Sequence, residues 1–172
     1  TFVYAASMAG WPGPGATADG HPVTILANVA DGTAARAARQ APVEGVGLFR
    51  TELCFLERDS EPSVDEQAAI YAEVLEAFAG HKVVIRTLDA GSDKPLKFVT
   101  TPQEENPALG VRGFRIVGGN ADLVARQLDA IAAAAASTDS APWVMAPMIA
   151  TAAEAKQFLS LIHISEPTRP RL

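Results

Sequence analysis

The sequence carries one cysteine, Cys54, in 172 residues. A lone thiol closes no internal disulfide. His21, His81 and His163 stand apart from it and from each other, so no clustered Cys/His set for zinc is present. No uncharged apolar run approaches the roughly 20 residues that a membrane helix needs, and no membrane insertion is expected. Basic residues are in the minority, 14 Lys and Arg against 20 Asp and Glu, for a net charge of −6. That balance argues against a nucleic-acid binder, which shows a basic face. No charged segment leads an apolar stretch at the start, so no signal peptide is read and a cytoplasmic protein is expected. The chain opens on Thr1 and is expected to begin inside a longer one. What remains, 48% hydrophobic and 20% charged residues, is ordinary soluble globular composition at about one domain's length.

Residues 1–20 carry Gly10, Pro12, Gly13, Pro14, Gly15 and Gly20, the chemistry of a linker, and Phe2–Ala9 is read as the close of an earlier helix. The β-rich run Pro22–Val29 is the first predicted strand. Asp31 caps a short helix over Thr33–Gln40. Val43–Glu52 is a second strand, apolar on both faces as in a buried parallel sheet. Ser63 and Glu66 have capping-box spacing ahead of a helix whose apolar positions are Ala69, Ile70, Val74, Leu75 and Phe78, ended by Gly80. Val83–Leu88 is a third strand. Asp89–Asn106 is a long polar loop. Asn120–Ala136 is a helix capped by Asn120 or Asp122, Pro142–Ile149 a fourth strand, and Thr151 with Glu154 caps a last helix to about Leu159. Four β-α repeats imply α/β architecture with a parallel sheet, and their length suits half of a (β/α)8 barrel.

In such folds ligands sit at the carboxyl ends of the strands. Arg50 ends GVGLFR and Arg86 lies near the end of VVIRTLD, each behind an apolar run. Arginine suits bidentate binding of phosphate or carboxylate. With Lys94 in DAGSDKPL and Arg112 in NPALGVRGF, these residues would make a positive pocket for a small polyanion inside an acidic protein. The alternative is internal ion pairing, with Glu52 neutralising Arg50 and Asp89 neutralising Arg86. Cys54, with no histidine nearby in sequence, is read as a packed thiol. His21, His81, Asp19, Glu104 and Glu105 are read as solvated. No G-x-G-x-x-G precedes a helix, and no complete metal site is visible.

The segments EGVGLFRTELCFLERDSEPSVDEQ, VVIRTLDAGSDKPL and EENPALGVRGFRI together resemble enzyme I of the bacterial phosphoenolpyruvate:sugar phosphotransferase system, over roughly Asp19–Leu159. The resemblance implies an enzyme that moves the phosphoryl group of phosphoenolpyruvate to its own histidine and then to the carrier protein HPr in sugar uptake. It implies Mg2+, a homodimer in the full-length family, and a substrate site at the mouth of a (β/α)8 barrel. Arg50 and Arg86 match the family's phosphate-binding arginines of GLxRTE and RTxD; Lys94 and Arg112 match further basic positions facing that site. The sequence departs from the family in having no G-G-x-T-S-H segment, no M-V-E-x-P or G-T-N-D-L segment with the magnesium carboxylates, and no counterpart of the late acid cysteine. No catalytic residue is therefore assigned. Another phosphoenolpyruvate-using enzyme (synthase or dikinase) and a non-catalytic α/β anion-binding module are the other readings.

The expected organisation is a linker from an upstream domain over 1–20, the N-terminal half of a phosphoenolpyruvate-binding (β/α)8 barrel over 21–159, and a non-native tail over 160–172. The tail's opening, SLIHISEPTR, resembles one reading frame through a sequencing-library adapter.

Overall fold

A computed structural model describes residues 13–56, 58–99 and 103–165. The helix end read into Phe2–Ala9 and the tail beyond Ser165 lie outside the described residues.

Four short strands form one parallel sheet in the order β3-β4-β5-β6: β3 is Ala27–Val29, β4 Gly45–Arg50, β5 Lys82–Arg86 and β6 Trp143–Met145. They alternate with helices α1 (Gly32–Ala38), α2 (Val64–Ala77), α3 (Val117–Ser137) and α4 (Ala152–Ser165). The helices pack in chain order, α1 on α2, α2 on α3 and α3 on α4, as one layer.

The first predicted strand is divided. Pro22–Val23 (β2) pairs antiparallel with Gly15–Ala16 (β1), while only Ala27–Val29 joins the main sheet. Thr24–Leu26 between them is irregular because the backbone there bonds to a different partner: the Ile25 N–H donates to Glu44 Oε1 at 3.0 Å, and the Glu44 N–H returns to the Ile25 carbonyl at 2.8 Å. The fourth strand is also shorter than expected, three residues of the apolar run Pro142–Ile149.

The helix boundaries follow local side-chain chemistry. Asp31 accepts from the Ala34 N–H at 2.7 Å. Ser63 and Glu66 form a complete capping box, with bonds of 2.8 and 3.2 Å. Thr151 and Glu154 do the same for α4. These bonds satisfy N–H groups that the helix itself leaves unpaired. Asn120 has φ −144° and ψ 44°, so it breaks the short turn Val117–Gly119 from the regular helix that follows. α4 does not stop near Leu159; it runs to Ser165, because Phe158, Leu161 and Ile162 continue one apolar face against the core.

The sheet register decides which residues face the helices. Val46 pairs with Val83 and Phe49 with Ile85, so three steps along β4 match two along β5. Gly47 is the extra residue, since it also has no counterpart on β3. A bulge of this kind sets two residues against one and reverses the alternation of side chains. Val46 and Phe49 consequently face the same way as Val29, Val83 and Ile85, into a core with Tyr71, Leu75, Phe78, Leu123, Leu128 and Ile131. Phe49 meets Tyr71 edge to face at 5.8 Å. The opposite face carries Lys82, Val84, Arg86, Trp143, Met145 and Arg50 by register. Trp143 and Met145 are 63% and 41% exposed on it, and Lys82 Nζ lies 3.8 Å over the Trp143 ring.

Candidate functional site

Arg50 and Arg86 are register partners at the last rung of the β4–β5 ladder. Parallel neighbours in register project to the same face, so two guanidinium groups leave the same end of the sheet side by side. The chain then turns away: Thr51–Cys54 is a 3₁₀ turn that carries Glu52 back over β5.

That turn recasts the ion pairs expected from sequence proximity. Glu52 does not neutralise Arg50; its Oε1 accepts from Arg86 Nη2. Asp89 lies 3.3 Å from Arg86 Nη1, as expected, and is also held by Arg112 through Nε at 3.0 Å and Nη2 at 3.3 Å. Arg112 reaches Asp93 as well, at 2.7 Å. Asp89 thus joins two arginines that are 26 positions apart in sequence. Burial alone would raise its carboxyl, but the Arg112 hydrogen bonds and the charges of Arg86, Arg112 and Lys94 outweigh that and hold it below the usual value. The same Asp89 bond raises the Arg112 guanidinium.

Arg50 differs. It is exposed, and among the described residues no carboxylate lies within ion-pair distance of it. An exposed guanidinium keeps its hydration and needs no internal counter-charge. Lys94 is half-buried on the loop after β5, where Gly91 bridges to both Lys94 and Arg112. Gly113 makes the return of that loop possible: at φ +59°, an added Cβ would sit 2.8 Å from Met148 Cγ. Its N–H donates to the Ala90 carbonyl at 2.9 Å, and Phe114 N–H donates to Pro147 at 3.0 Å. Arg112 is thereby clamped between the exits of β5 and β6.

Of the four basic side chains, Arg86 and Arg112 are therefore paired with the carboxylates of Glu52, Asp89 and Asp93, while Arg50 and Lys94 make no ion pair among the described residues. Three buried polar atoms at this end have no hydrogen-bond partner among the described residues: Glu52 Oε2, Arg86 Nε and Ser92 Oγ. Buried polar atoms in native proteins are nearly always bonded, so these three are exceptions. Magnesium, by contrast, finds no ligand set: Glu52 and Asp89 are each engaged by guanidinium, and no group of three or more His, Cys, Asp or Glu among the described residues could hold a metal ion.

Behind the arginines lies a buried network that the residue-by-residue reading missed. Gln127 on α3, 1% exposed, accepts from the Leu88 N–H at 2.8 Å and donates to Thr51 Oγ1 at 3.0 Å and the Tyr71 hydroxyl at 3.1 Å. Thr51 Oγ1 donates to the Arg86 carbonyl at 2.8 Å. Tyr71 donates to Gln67, which donates to the Pro62 carbonyl. The signal was present: Gln127 falls in the apolar stripe Leu123, Val124, Leu128, Ile131, a position that periodicity assigns to the core.

Of the other residues read from sequence, His21, His81, Asp19 and Glu105 are exposed. Glu104 is not simply solvated, since its Oε2 accepts from the Val111 N–H at 2.8 Å. Cys54 is buried, and burial pushes its thiol up to about 11. A thiol so raised carries little thiolate near neutrality and should label slowly. A disulfide reagent at mildly alkaline pH should modify the native protein orders of magnitude more slowly than the urea-unfolded one; equal rates would contradict a packed Cys54.

No described helix is long and apolar enough to cross a membrane. Residues 12–168 match the family described as "PEP-utilising enzyme, PEP-binding domain". The chain is similar to the phosphoenolpyruvate-protein phosphotransferase of Streptomyces coelicolor, 50% identical over 89% of this chain and 28% of the relative. It is 47% identical to that of Haloferax volcanii, over 80% of this chain and 25% of the relative, and 45% identical to the multiphosphoryl transfer protein of Rhodobacter capsulatus, over 80% and 16%. The chain spans about a quarter of the length of the first two. The family match over nearly the whole chain and the arginines at the strand ends lead to one conclusion: this chain belongs to the PEP-binding-domain family of PEP-utilising enzymes.

Proposed function

We propose that the chain supplies one wall of a phosphoenolpyruvate site within a phosphoenolpyruvate-protein phosphotransferase, and that its sheet is the N-terminal half of a (β/α)8 barrel. The observation that carries this reading is the pairing of Arg50 and Arg86 on one rung, with Arg50 left exposed and free of any ion pair among the described residues. In this reading Arg50 is the mobile phosphate ligand. Arg86 and Arg112, locked by Glu52 and Asp89, present fixed N–H donors, and Lys94 adds charge from the loop. Preorganised donors of this kind favour a polyanion because their orientation is fixed before it arrives. The whole enzyme would work in the cytoplasm as a homodimer, accept the phosphoryl group on a histidine outside this chain and pass it to HPr. Its Mg2+ ligands would come from other parts of the polypeptide. The linker reading of residues 1–20 is kept only ahead of Gly15–Ala16, which pair with Pro22–Val23.

The test is equilibrium binding of phosphoenolpyruvate to the full-length protein. Arg50→Ala removes one charge-assisted bond, worth on the order of 1.5–3 kcal/mol. Affinity should fall about 10- to 100-fold while the melting temperature stays put. Unchanged affinity in Arg50→Ala would remove Arg50 from the site.

A further inference from the structure

We propose that Gln127 is a positioning residue, which sets the separation of the Arg50 and Arg86 guanidinium groups from the far side of the sheet. The inference rests on the phosphoenolpyruvate-site reading above. Its starting point is where the main-chain ladder stops. β4 and β5 are held by backbone bonds only as far as the Arg50–Arg86 rung. Past that rung β4 leaves the sheet as a 3₁₀ turn, and the segment after Arg86 bonds to β6 through the Thr87 N–H on the Met145 carbonyl at 2.9 Å, so no β4–β5 ladder bond fixes the two strand ends relative to each other.

Side chains take over there. Thr51, the residue after Arg50, donates to the carbonyl of Arg86 itself at 2.8 Å. Gln127 holds Thr51 Oγ1 at 3.0 Å with its amide nitrogen and the Leu88 N–H at 2.8 Å with its amide oxygen. One planar amide therefore grips the chain one residue beyond Arg50 and two residues beyond Arg86. Both amide hydrogens are used, the second on the Tyr71 hydroxyl at 3.1 Å. Tyr71 is in turn fixed by Gln67 and by the edge of Phe49, the residue before Arg50. Thr51, Gln67, Tyr71 and Gln127 are each 1% exposed or less.

A fully bonded buried network of this kind is directional: its bonds hold only one relative placement of the segments it joins. An apolar side chain at 127 would fill the same space without specifying the distance between the two strand ends. Since a displacement of about 1 Å at a binding group can cost up to a hundredfold in rate or affinity, the network's consequence is read at the substrate phosphate, although none of its members reaches the sheet's open face.

The experiment uses the full-length protein, with KM and kcat for phosphoenolpyruvate measured well below the melting temperature. Thr51→Val keeps shape but removes the hydroxyl bridge; Gln127→Met keeps length but removes all three bonds. Each should raise KM about tenfold or more, with a smaller change in kcat. The double variant should be no worse than Gln127→Met alone, since both cut the same connection. Thr51→Ser, which restores the hydroxyl, should return KM to near wild type. Leu75→Ala, in the core on α2, is the control for mere loosening and should lower the melting temperature without moving KM. If Thr51→Val leaves KM unchanged, or if Leu75→Ala raises it as much, the positioning role is overturned. If the wild-type protein itself does not bind phosphoenolpyruvate, the site reading fails instead.

Discussion

Arg86→Ala should destabilise the full-length protein by about 3–5 kcal/mol, whereas Arg50→Ala should stay within about 0.5 kcal/mol of wild type. The two arginines share a rung and a face, yet their surroundings differ. Arg86 is 17% exposed and lies between Glu52 and Asp89, which are 5% and 8% exposed at the side chain. Removing its guanidinium leaves Glu52 buried with no partner for either oxygen, because Oε2 has none already. An uncompensated buried carboxylate is among the few causes of losses this large. Asp89 suffers less, since Arg112 still holds it. Arg50 is exposed, and its loss strands no charge among the described residues. Thermal or urea unfolding of the two variants makes the comparison, and Glu52→Gln placed on Arg86→Ala should recover a large share of the loss. Equal destabilisation by Arg50→Ala and Arg86→Ala would contradict this division of labour.

The isolated 172-residue chain should self-associate through the face of the sheet that no described helix covers. Trp143 and Met145 stand exposed there, and burying a large apolar side chain contributes about 1.5–3 kcal/mol. The outer edges of β3 and β6 are unpaired among the described residues, and neither three-residue strand carries a charge to block pairing. In the half-barrel reading the same face is interior. Size-exclusion chromatography should show concentration-dependent dimers or larger species with dye-accessible apolar surface. Trp143→Arg combined with Met145→Glu should return the chain to a monomer. A wild-type chain that elutes as a monomer at every concentration and binds no hydrophobic dye would sink the prediction.

The sequence was most informative where structure is decided locally. The caps at Asp31, Ser63 and Thr151 depend on residues three or four apart and appear where spacing put them; the cap expected of Asn120 or Asp122 is not made, and Asn120 instead kinks the helix and donates back to the Ile116 carbonyl at 3.4 Å. Strand identity for Gly45–Arg50 and Lys82–Arg86 followed from apolar runs long enough to be buried on both sides. What failed was what depends on distant partners. Pro22–Val23 left the predicted strand because Gly15–Ala16 offered it a closer edge. Glu52 was matched to the arginine nearest in sequence, although a four-residue turn delivers it to Arg86, 34 positions away. Asp89 was seen as one arginine's partner and proved to serve two. Arg50, for which internal pairing with Glu52 was the alternative reading, stands unpaired among the described residues because a bulge set it on the open face. Gln127 was hidden inside a helix whose stripe reads as ordinary core.

The extra residue at Gly47 fixes the phase of β4. Upstream of it, Val46 faces the helices; counting on by twos from there would send Leu48 and Arg50 into the same layer. The bulge shifts the count by one, and the guanidinium emerges on the open side. Pairing all six residues in plain alternation, with no bulge, would rotate Arg50 into the packed layer and Phe49 out of it, without altering either side chain. Length and bulge are therefore tied in this strand: a relative one residue shorter between the equivalents of Val46 and Phe49 should pair two steps against two, lose the bulge, and still send its arginine to the open face.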